Sequence, residues 1–152
     1  HGLLRRQRQM CIRDRISMGL EITLSFSILI GVFALVLTVR VIDLRDSPVT
    51  RSFHSANRDI NPLMLQRAIR AHGNLLEYAP LFLILLFLCE FNQLNKNYLI
   101  VSATLFFIGR LMHGVGYGFL LHSPVMRIGG MALTILGFLM LLTIASLKLF
   151  VN

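Results

Sequence analysis

Four long apolar segments run along the chain, and polar residues collect in the short stretches between them. The apolar segments are long enough, or nearly so, to cross a bilayer as helices, which takes about 20 residues each. Proline at a first helical position marks the start of the second and fourth segments. The pattern predicts an all-α integral membrane protein, a bundle of four transmembrane helices. The predicted helices are Ile22–Val39, Pro62 to about Glu90, roughly Tyr98–Leu121, and Ser123 to Phe150.

Composition supports a membrane protein. Of the 152 residues 55% are hydrophobic and only 14% are charged, whereas soluble domains are about a quarter charged; the mean hydropathy is +0.70. A transmembrane β-barrel would show short alternating segments instead. The net charge of +8 is better explained by basic loops that orient the helices than by a nucleic-acid partner. Neither Cys11 and Cys89 nor the five histidines have metal-ligand spacing, and no metal is expected.

Basic residues are distributed unequally between the two ends of the predicted bundle. Four spans place the first and third loops on one side, and most cations lie there. The positive-inside rule therefore predicts that these loops are cytoplasmic and that the N-terminus is outside. The cations on the two sides are Arg40, Arg45, Arg51, Arg58, Arg67 and Arg127 against Lys96 and Lys148.

Residues 1–17 are expected to be a non-native leader, and residues 18–152 a single membrane domain. The leader has five arginines and no apolar period, and Met18 follows it as a plausible start. Its string R-Q-R-Q-M-C-I-R-D-R is similar to translated sequencing-adapter sequence. The leader arginines would also lie on the wrong side of the predicted topology, although a genuine basic leader is the competing interpretation.

Polar side chains interrupt the apolar helices at one predicted end of the bundle. Arg70, Asn74 and Glu77 are spaced i, i+4, i+7 and share a helix face. Each charge near the bilayer centre costs about 2.5–3.5 kcal/mol, so such residues usually face a cavity or a partner. Antiparallel helices would bring Arg40, Tyr117 and Arg127 to the same membrane face. Polar residues gathered at one membrane face suit the binding of an anionic, polar ligand next to a second, lipid-soluble ligand.

The motif R-A-x-x-N-x-x-E-Y-x-P-L-F from Arg70, followed by R-x-x-H-x-x-x-Y from Arg110 and an arginine opening the last helix, resembles the MAPEG family. MAPEG stands for membrane-associated proteins in eicosanoid and glutathione metabolism. The resemblance covers about residues 20–150 and is simplest to the short bacterial members. It implies a homotrimer in the bacterial inner membrane, with glutathione as co-substrate at each subunit interface. Gly73 and His113 depart from the eicosanoid-forming branches, which leaves the second substrate open.

The resemblance also implies roles for individual residues. Arg127 corresponds to the catalytic arginine beside the glutathione thiol, and Arg40 to an arginine that the neighbouring subunit supplies. Arg110 is expected to be structural and paired with Glu77. The remaining residues implied in glutathione binding are Arg70, His72, Asn74, Glu77, Tyr78, His113 and Tyr117.

The chemistry of glutathione fits these residue types. Its carboxylates suit the guanidinium groups of Arg70 and Arg40, which bind them in bidentate fashion. Its amino group and amides suit Glu77 and Asn74, and its thiol, with an ordinary pKa near 8.5, needs a cation such as Arg127 to become a thiolate. We therefore expect a glutathione-dependent transferase or peroxidase acting on lipophilic electrophiles.

Three other interpretations of these residues stay open. The charged residues could form a buried ion network that only fixes helix register. The same fold could also serve as a non-catalytic lipid- or glutathione-binding scaffold. A third interpretation, from the G-V-G-Y-G string at Gly114–Gly118 that resembles a potassium filter, is disfavoured because the string ends an unbroken helix beside Arg110. Gly114 and Gly118 are instead expected to allow close helix packing.

Overall fold

The computed structural model describes residues 19–45, 61–120 and 123–151, which form four helices and, within those ranges, no strand. All four are long and apolar enough to cross a membrane, and the predicted all-α four-helix bundle is confirmed. The leader 1–17 and the loop residues Arg51 and Arg58 lie outside the described residues. The helices are α1 (Glu21–Leu44), α2 (Pro62–Phe91), α3 (Lys96–Gly118) and α4 (Pro124–Val151).

Two of the helix starts follow directly from local sequence. The side chain of Asn61 accepts a hydrogen bond from the backbone N–H of Leu63 at 2.9 Å, and Pro62 occupies the first helical turn. At the start of α3, the Asn95 side chain accepts from the N–H of Asn97 at 3.0 Å. Both are the side-chain caps that asparagine makes for helix donors that lack an intrahelical partner.

Two helix ends differ from the sequence-based expectation. Helix α1 continues to Leu44, five residues beyond its predicted end at Val39. The Arg40 charge is tolerated in this last turn because Asp43, one turn further on, pairs with it at 3.2 Å. Helix α3 ends at Gly118, three residues before the predicted end at Leu121.

Side-chain contacts define the directions of the helices. The C-terminal end of α2 contacts the start of α1 through Glu90, and the start of α2 contacts the end of α3 through Arg67. Helices α3 and α4 are also antiparallel, since Ser102 bonds to Gly137 whereas Gly116 lies against Met126. Helices α2 and α4 therefore run in the same direction. Helix α1 packs on α2 and α3 and makes no contact with α4.

Helix α3 forms the centre of the bundle. The ring of its Phe106 stacks on Phe82 of α2, with centroids 3.8 Å apart, and Phe138 of α4 closes the cluster edge-on. Backbones of α3 and α4 touch at Gly109, where an added Cβ would lie 2.6 Å from the backbone nitrogen of Thr134. Gly114 admits the Phe33 ring of α1 in the same way, as small residues do at membrane helix interfaces. The packing role expected of Gly114 agrees with this contact.

The carboxylate of Glu90 caps the N-terminal end of α1, although the two are 68 residues apart in the sequence. Glu90, which is buried, accepts hydrogen bonds from the backbone N–H groups of Ile22 at 2.9 Å and Thr23 at 2.7 Å. A helix start leaves such donors without partners, and lipid offers none. Glu90 therefore holds the end of α2 against the start of α1, at the opposite end of the bundle from the predicted site.

Candidate functional site

The candidate site lies where α1 and α3 end and where α2 and α4 begin, which we call the site end of the bundle. Antiparallel packing gathers there the polar residues that the sequence spaces along four helices. Five arginines of the described residues belong to this end, with Asp43 and Glu77 as nearby carboxylates. These arginines are Arg40, Arg45, Arg67, Arg70 and Arg127.

Arg127 and Tyr117 form the most direct polar contact between α3 and α4 at this end. The Arg127 guanidinium donates a hydrogen bond to the Tyr117 hydroxyl at 3.2 Å, and its Cζ lies 4.4 Å from the ring centroid. The ring of His113, one turn earlier on α3, stacks on Tyr117 with centroids 5.4 Å apart. His113 is buried, whereas Arg127 is exposed. The three predicted site residues are thus contiguous, with the cation on the open side.

Arg67 also contacts Tyr117, although the sequence did not mark it as a site residue. Its guanidinium donates to the carbonyls of Gly116 at 3.2 Å, Tyr117 at 3.3 Å and Leu120 at 2.8 Å. Its Cζ lies 5.4 Å from the Tyr117 ring centroid. Since the last carbonyls of a helix lack intrahelical donors and carry partial negative charge, Arg67 satisfies the end of α3.

Arg110 lies deeper in the bundle and has different partners from those predicted. Its Nε donates to Thr134 Oγ1 at 2.9 Å, its Nη1 to the Asn74 carbonyl at 3.4 Å, and its Cζ lies 4.8 Å from the Tyr78 ring. The predicted pairing of Arg110 with Glu77 is therefore wrong. The reason is that the close approach of α3 and α4 at Gly109 puts Thr134 beside the buried guanidinium, while Glu77 stays exposed.

Arg70, Asn74 and Glu77 lie on consecutive turns of α2, as the spacing predicts. Arg70 and Glu77 are exposed, and Asn74 is half-buried. Glu77 and Tyr78 stand at the polar end of a groove of about 370 Å³ between α2 and α4. The groove walls are otherwise apolar apart from Thr134. The apolar lining residues are Leu81, Ile135, Phe138, Leu139 and Leu142.

Helix geometry relates Arg70 to Arg127. Glu77 and Thr134 line the same groove, and α2 and α4 run in the same direction. Arg70 and Arg127 each lie seven residues before these, about 10 Å along the helix axis. Arg70 and Arg127 therefore lie at about one level on their helices, one to two turns nearer the site end than Glu77 and the groove. An elongated anionic molecule with one ammonium group matches this order of charges.

Two predicted binding residues face α1 or the end of α3 rather than this groove. Arg40 donates to the Gly118 carbonyl at 3.4 Å and pairs with Asp43, and its Cζ lies 5.3 Å from the Phe119 ring. His72 Nε2 is 3.0 Å from Thr38 Oγ1. The Thr38 hydroxyl also lies 2.9 Å from the Ala34 carbonyl, so His72 contacts α1 through a side chain that is bonded to its own helix.

Among the residues described in the structure, no three His, Cys, Asp or Glu side chains converge as metal ligands. The groups available at the site end are guanidinium donors, a phenol, an imidazole, an amide and a carboxylate. Such groups bind carboxylates and an ammonium group by charge-assisted hydrogen bonds, which requires no metal.

Three polar contacts at or near the site were missed by sequence reasoning. Arg67 was counted only among the basic loop residues, although its position one turn before Arg70 on α2 was a usable signal. Asp43 lay in a predicted loop, and its spacing from Arg40 was the signal for a longer helix. Thr134 gave no signal, because a threonine within an apolar helix commonly bonds its own backbone, as Thr134 does to Gly130 at 2.8 Å.

Fold and site together define a four-helix integral membrane protein with an arginine-rich site at one end. The chain matches the model of the MAPEG family over residues 23–147, and it belongs to that family. It is also similar to the inner membrane protein YecN of Escherichia coli K12, with 38% identity over 53 residues. That match covers 35% of this chain and 40% of the relative. YecN of Escherichia coli O6:H1 gives the same figures.

Proposed function

We propose that this protein is a glutathione-dependent membrane transferase or peroxidase acting on lipophilic electrophiles. The observation that carries the proposal is the contact of Arg127 with Tyr117 at the same end of the bundle as the exposed Arg70 and Glu77. Arg70 would bind a glutathione carboxylate, Glu77 the ammonium group and Asn74 an amide. His113 and Tyr78 would line the site. Membership of the MAPEG family supports glutathione as the co-substrate.

The position of Arg127 supports its proposed role beside the glutathione thiol. It lies in the first turn of α4, where the helix macrodipole adds positive potential to the guanidinium charge. Both favour the anionic form of a thiol placed beside them, and the thiolate is the nucleophile. The Tyr117 hydroxyl, bonded to Arg127, provides a second polar group for the thiol or for the electrophile that it attacks.

The groove between α2 and α4 provides the route for a lipid-soluble second substrate. Its polar end is at Glu77 and Tyr78, and its apolar walls are formed by Leu81 of α2 and by α4 from Ile135 to Leu142. An electrophile dissolved in the membrane would enter with its apolar part among Leu81, Ile135 and Leu139. Its reactive carbon or peroxide oxygen would then meet the thiolate at the site end.

We propose that the functional unit of the protein is a homotrimer. Arg40 lies on α1, and α1 makes no contact with α4, so Arg40 cannot complete the α2–α4 groove of its own chain. The α1 helix of a neighbouring subunit would supply it, as the family resemblance implies. Helix α1 exposes apolar side chains such as Leu24, Val32 and Leu35 that a neighbour or lipid would cover. Native mass spectrometry in detergent tests this; a monomer that still binds glutathione would contradict it.

The location proposed is the bacterial inner membrane, with the site end in the cytoplasm. The name of the E. coli relative supports the inner membrane, and the cations Arg40, Arg45, Arg67 and Arg127 at this end support the cytoplasmic side. Cysteine accessibility at Ser123 and at Asn95 tests the orientation. In a background that lacks the native Cys11 and Cys89, only a cysteine at Asn95 should react with an impermeant maleimide added to intact cells.

The alternative function is a non-catalytic lipid- or glutathione-binding scaffold. The observation in its favour is the groove itself, whose apolar walls would hold a lipid chain without any chemistry. The discriminating experiment measures glutathione binding by calorimetry and then turnover with a panel of electrophiles and lipid hydroperoxides. Binding with turnover supports the enzyme, and lipid binding without turnover supports the scaffold.

A further inference from the structure

Arg67 connects the first turns of α2 to the last turn of α3 at the residue that contacts Arg127. Among the described residues, its carbonyl acceptors include that of Tyr117 itself and that of the preceding Gly116. Its guanidinium also lies over the Tyr117 ring. The Tyr117 backbone and ring are thus both held by one side chain from another helix.

The contacts continue from Tyr117 to the proposed thiolate site. The Tyr117 hydroxyl accepts a hydrogen bond from Arg127. The Arg127 side chain is long and exposed, so without this contact it could adopt many rotamers. Fixing such a side chain costs about 2 kcal/mol of rotamer entropy, which its contacts with a partner must offset. The position of Tyr117 therefore decides where the Arg127 charge lies.

Resting on the proposed function, we propose that Arg67 is a positioning residue, which holds Tyr117 and through it Arg127 where the glutathione thiolate forms. Arg67 does not bind glutathione in this role, because its donors are directed at the carbonyls of Gly116, Tyr117 and Leu120. Its planar fork suits several carbonyls at once, which a lysine ammonium cannot reproduce.

The kinetic test compares Arg67→Gln and Arg67→Lys with the wild type in the full-length protein. We expect kcat to fall roughly tenfold in Arg67→Gln, an effect within the range for residues in contact, while KM for glutathione is unchanged. Arg67→Lys should recover part of kcat, because it keeps the charge. Arg45→Gln is the matched control, since Arg45 is exposed at the same end of the bundle and should leave kcat unchanged.

A double-mutant cycle tests whether Arg67 acts through Tyr117. In a protein that already carries Tyr117→Leu, Arg67→Gln should cost little additional kcat, since the connection to Arg127 is already lost. Fully additive losses would overturn the proposal. A rise in KM at unchanged kcat would also overturn it, because Arg67 would then bind glutathione directly.

A fluorescence measurement tests the positioning without turnover. The chain has three tyrosines and no tryptophan, so Tyr78→Phe with Tyr98→Phe leaves Tyr117 as the only emitter. Arg67→Gln in this background should increase acrylamide quenching of Tyr117, and Arg45→Gln should not. Unchanged quenching would overturn the proposal. If quenching increases but the wild-type protein does not turn over glutathione, the proposed function is contradicted. Arg67 would then only stabilise the end of α3.

Discussion

The Arg127 guanidinium donates a hydrogen bond to the Tyr117 hydroxyl across 3.2 Å and lies 4.4 Å from its ring centroid. The two residues are the first-turn cation of α4 and the last-turn phenol of α3, which antiparallel packing places side by side. Both the hydroxyl and the ring orient the cation, and their contributions can be separated by substitution.

Tyr117→Phe removes the hydroxyl acceptor and keeps the ring beneath Arg127. We expect kcat to fall by roughly fivefold, the size of one hydrogen bond of about 1 kcal/mol. Tyr117→Leu removes the ring contact as well and should cost more. Steady-state kinetics at saturating glutathione measure both. Equal activity of Tyr117→Leu and the wild type would show that Arg127 is oriented by other groups.

Arg70 is expected to contribute to binding rather than to thiolate formation. Arg70→Ala removes a charge-assisted contact worth about 1.5–3 kcal/mol, which corresponds to roughly ten- to a hundredfold in Kd for glutathione. At saturation its pH–rate profile should match the wild type. Calorimetric titration measures the affinity, with Arg45→Ala as the control for loss of charge at the same end. A normal Kd in Arg70→Ala would remove Arg70 from the binding site.

Glu90 should support the bundle without affecting the site. Glu90→Ala leaves the N–H groups of Ile22 and Thr23 without their acceptor, and bonds to a charged group contribute about 1.5–3 kcal/mol each. We expect the thermal midpoint in detergent to fall by on the order of 5–10 °C, with an unchanged Kd for glutathione. Glu21→Gln, an exposed change in the same turn of α1, is the control and should have a much smaller effect. Matching midpoints for both variants would contradict the capping role.

Gly109 tests the close approach of α3 and α4. A methyl group in Gly109→Ala would lie 2.6 Å from the Thr134 backbone nitrogen and 2.7 Å from the Gly130 carbonyl. The helices would have to separate, at a cost of about 1–3 kcal/mol, and Arg110 would lose its alignment with Thr134. Thermal unfolding measures this. Gly31→Ala is the control, because nothing lies within 4 Å of its added Cβ; equal stability of the two variants would contradict the close contact.

Hydropathy and local caps were enough to predict the four helices and two of their starts. Pro62 and Pro124 begin α2 and α4 as expected, because proline suits a first turn whatever the tertiary structure. The end of α1 lies beyond the predicted Val39, since Arg40 and Asp43 pair only when both are helical. Helix ends that depend on such pairs are harder to predict than those fixed by proline.

The sequence was enough to predict which helix faces and which end of the bundle carry the site residues. It was not enough to predict which side chains contact one another. Spacing put His113 and Tyr117 on one face, and topology brought Arg127 to them, as the structure shows. The partner of Arg110 was wrong because it depends on the lateral approach of α4 at Gly109. Glu90 was missed for a related reason: its partners are backbone groups 67 and 68 residues away, which no local pattern encodes.

The most direct test of the account is an ultraviolet titration of glutathione bound to the wild type and to Arg127→Ala. If Arg127 stabilises the thiolate, the thiol pKa in the wild-type complex lies below its ordinary value near 8.5, and thiolate absorbance appears at lower pH than for free glutathione. Removing the cation raises that pKa, so the Arg127→Ala titration should move to higher pH by about one unit, equivalent to about 1.4 kcal/mol. Arg127→Lys should lie between the two. Two results would contradict the proposed enzymatic function and favour the scaffold. One is identical titrations in the wild type and Arg127→Ala. The other is a thiolate absorbance in the wild-type complex that appears at the same pH as that of free glutathione, or higher.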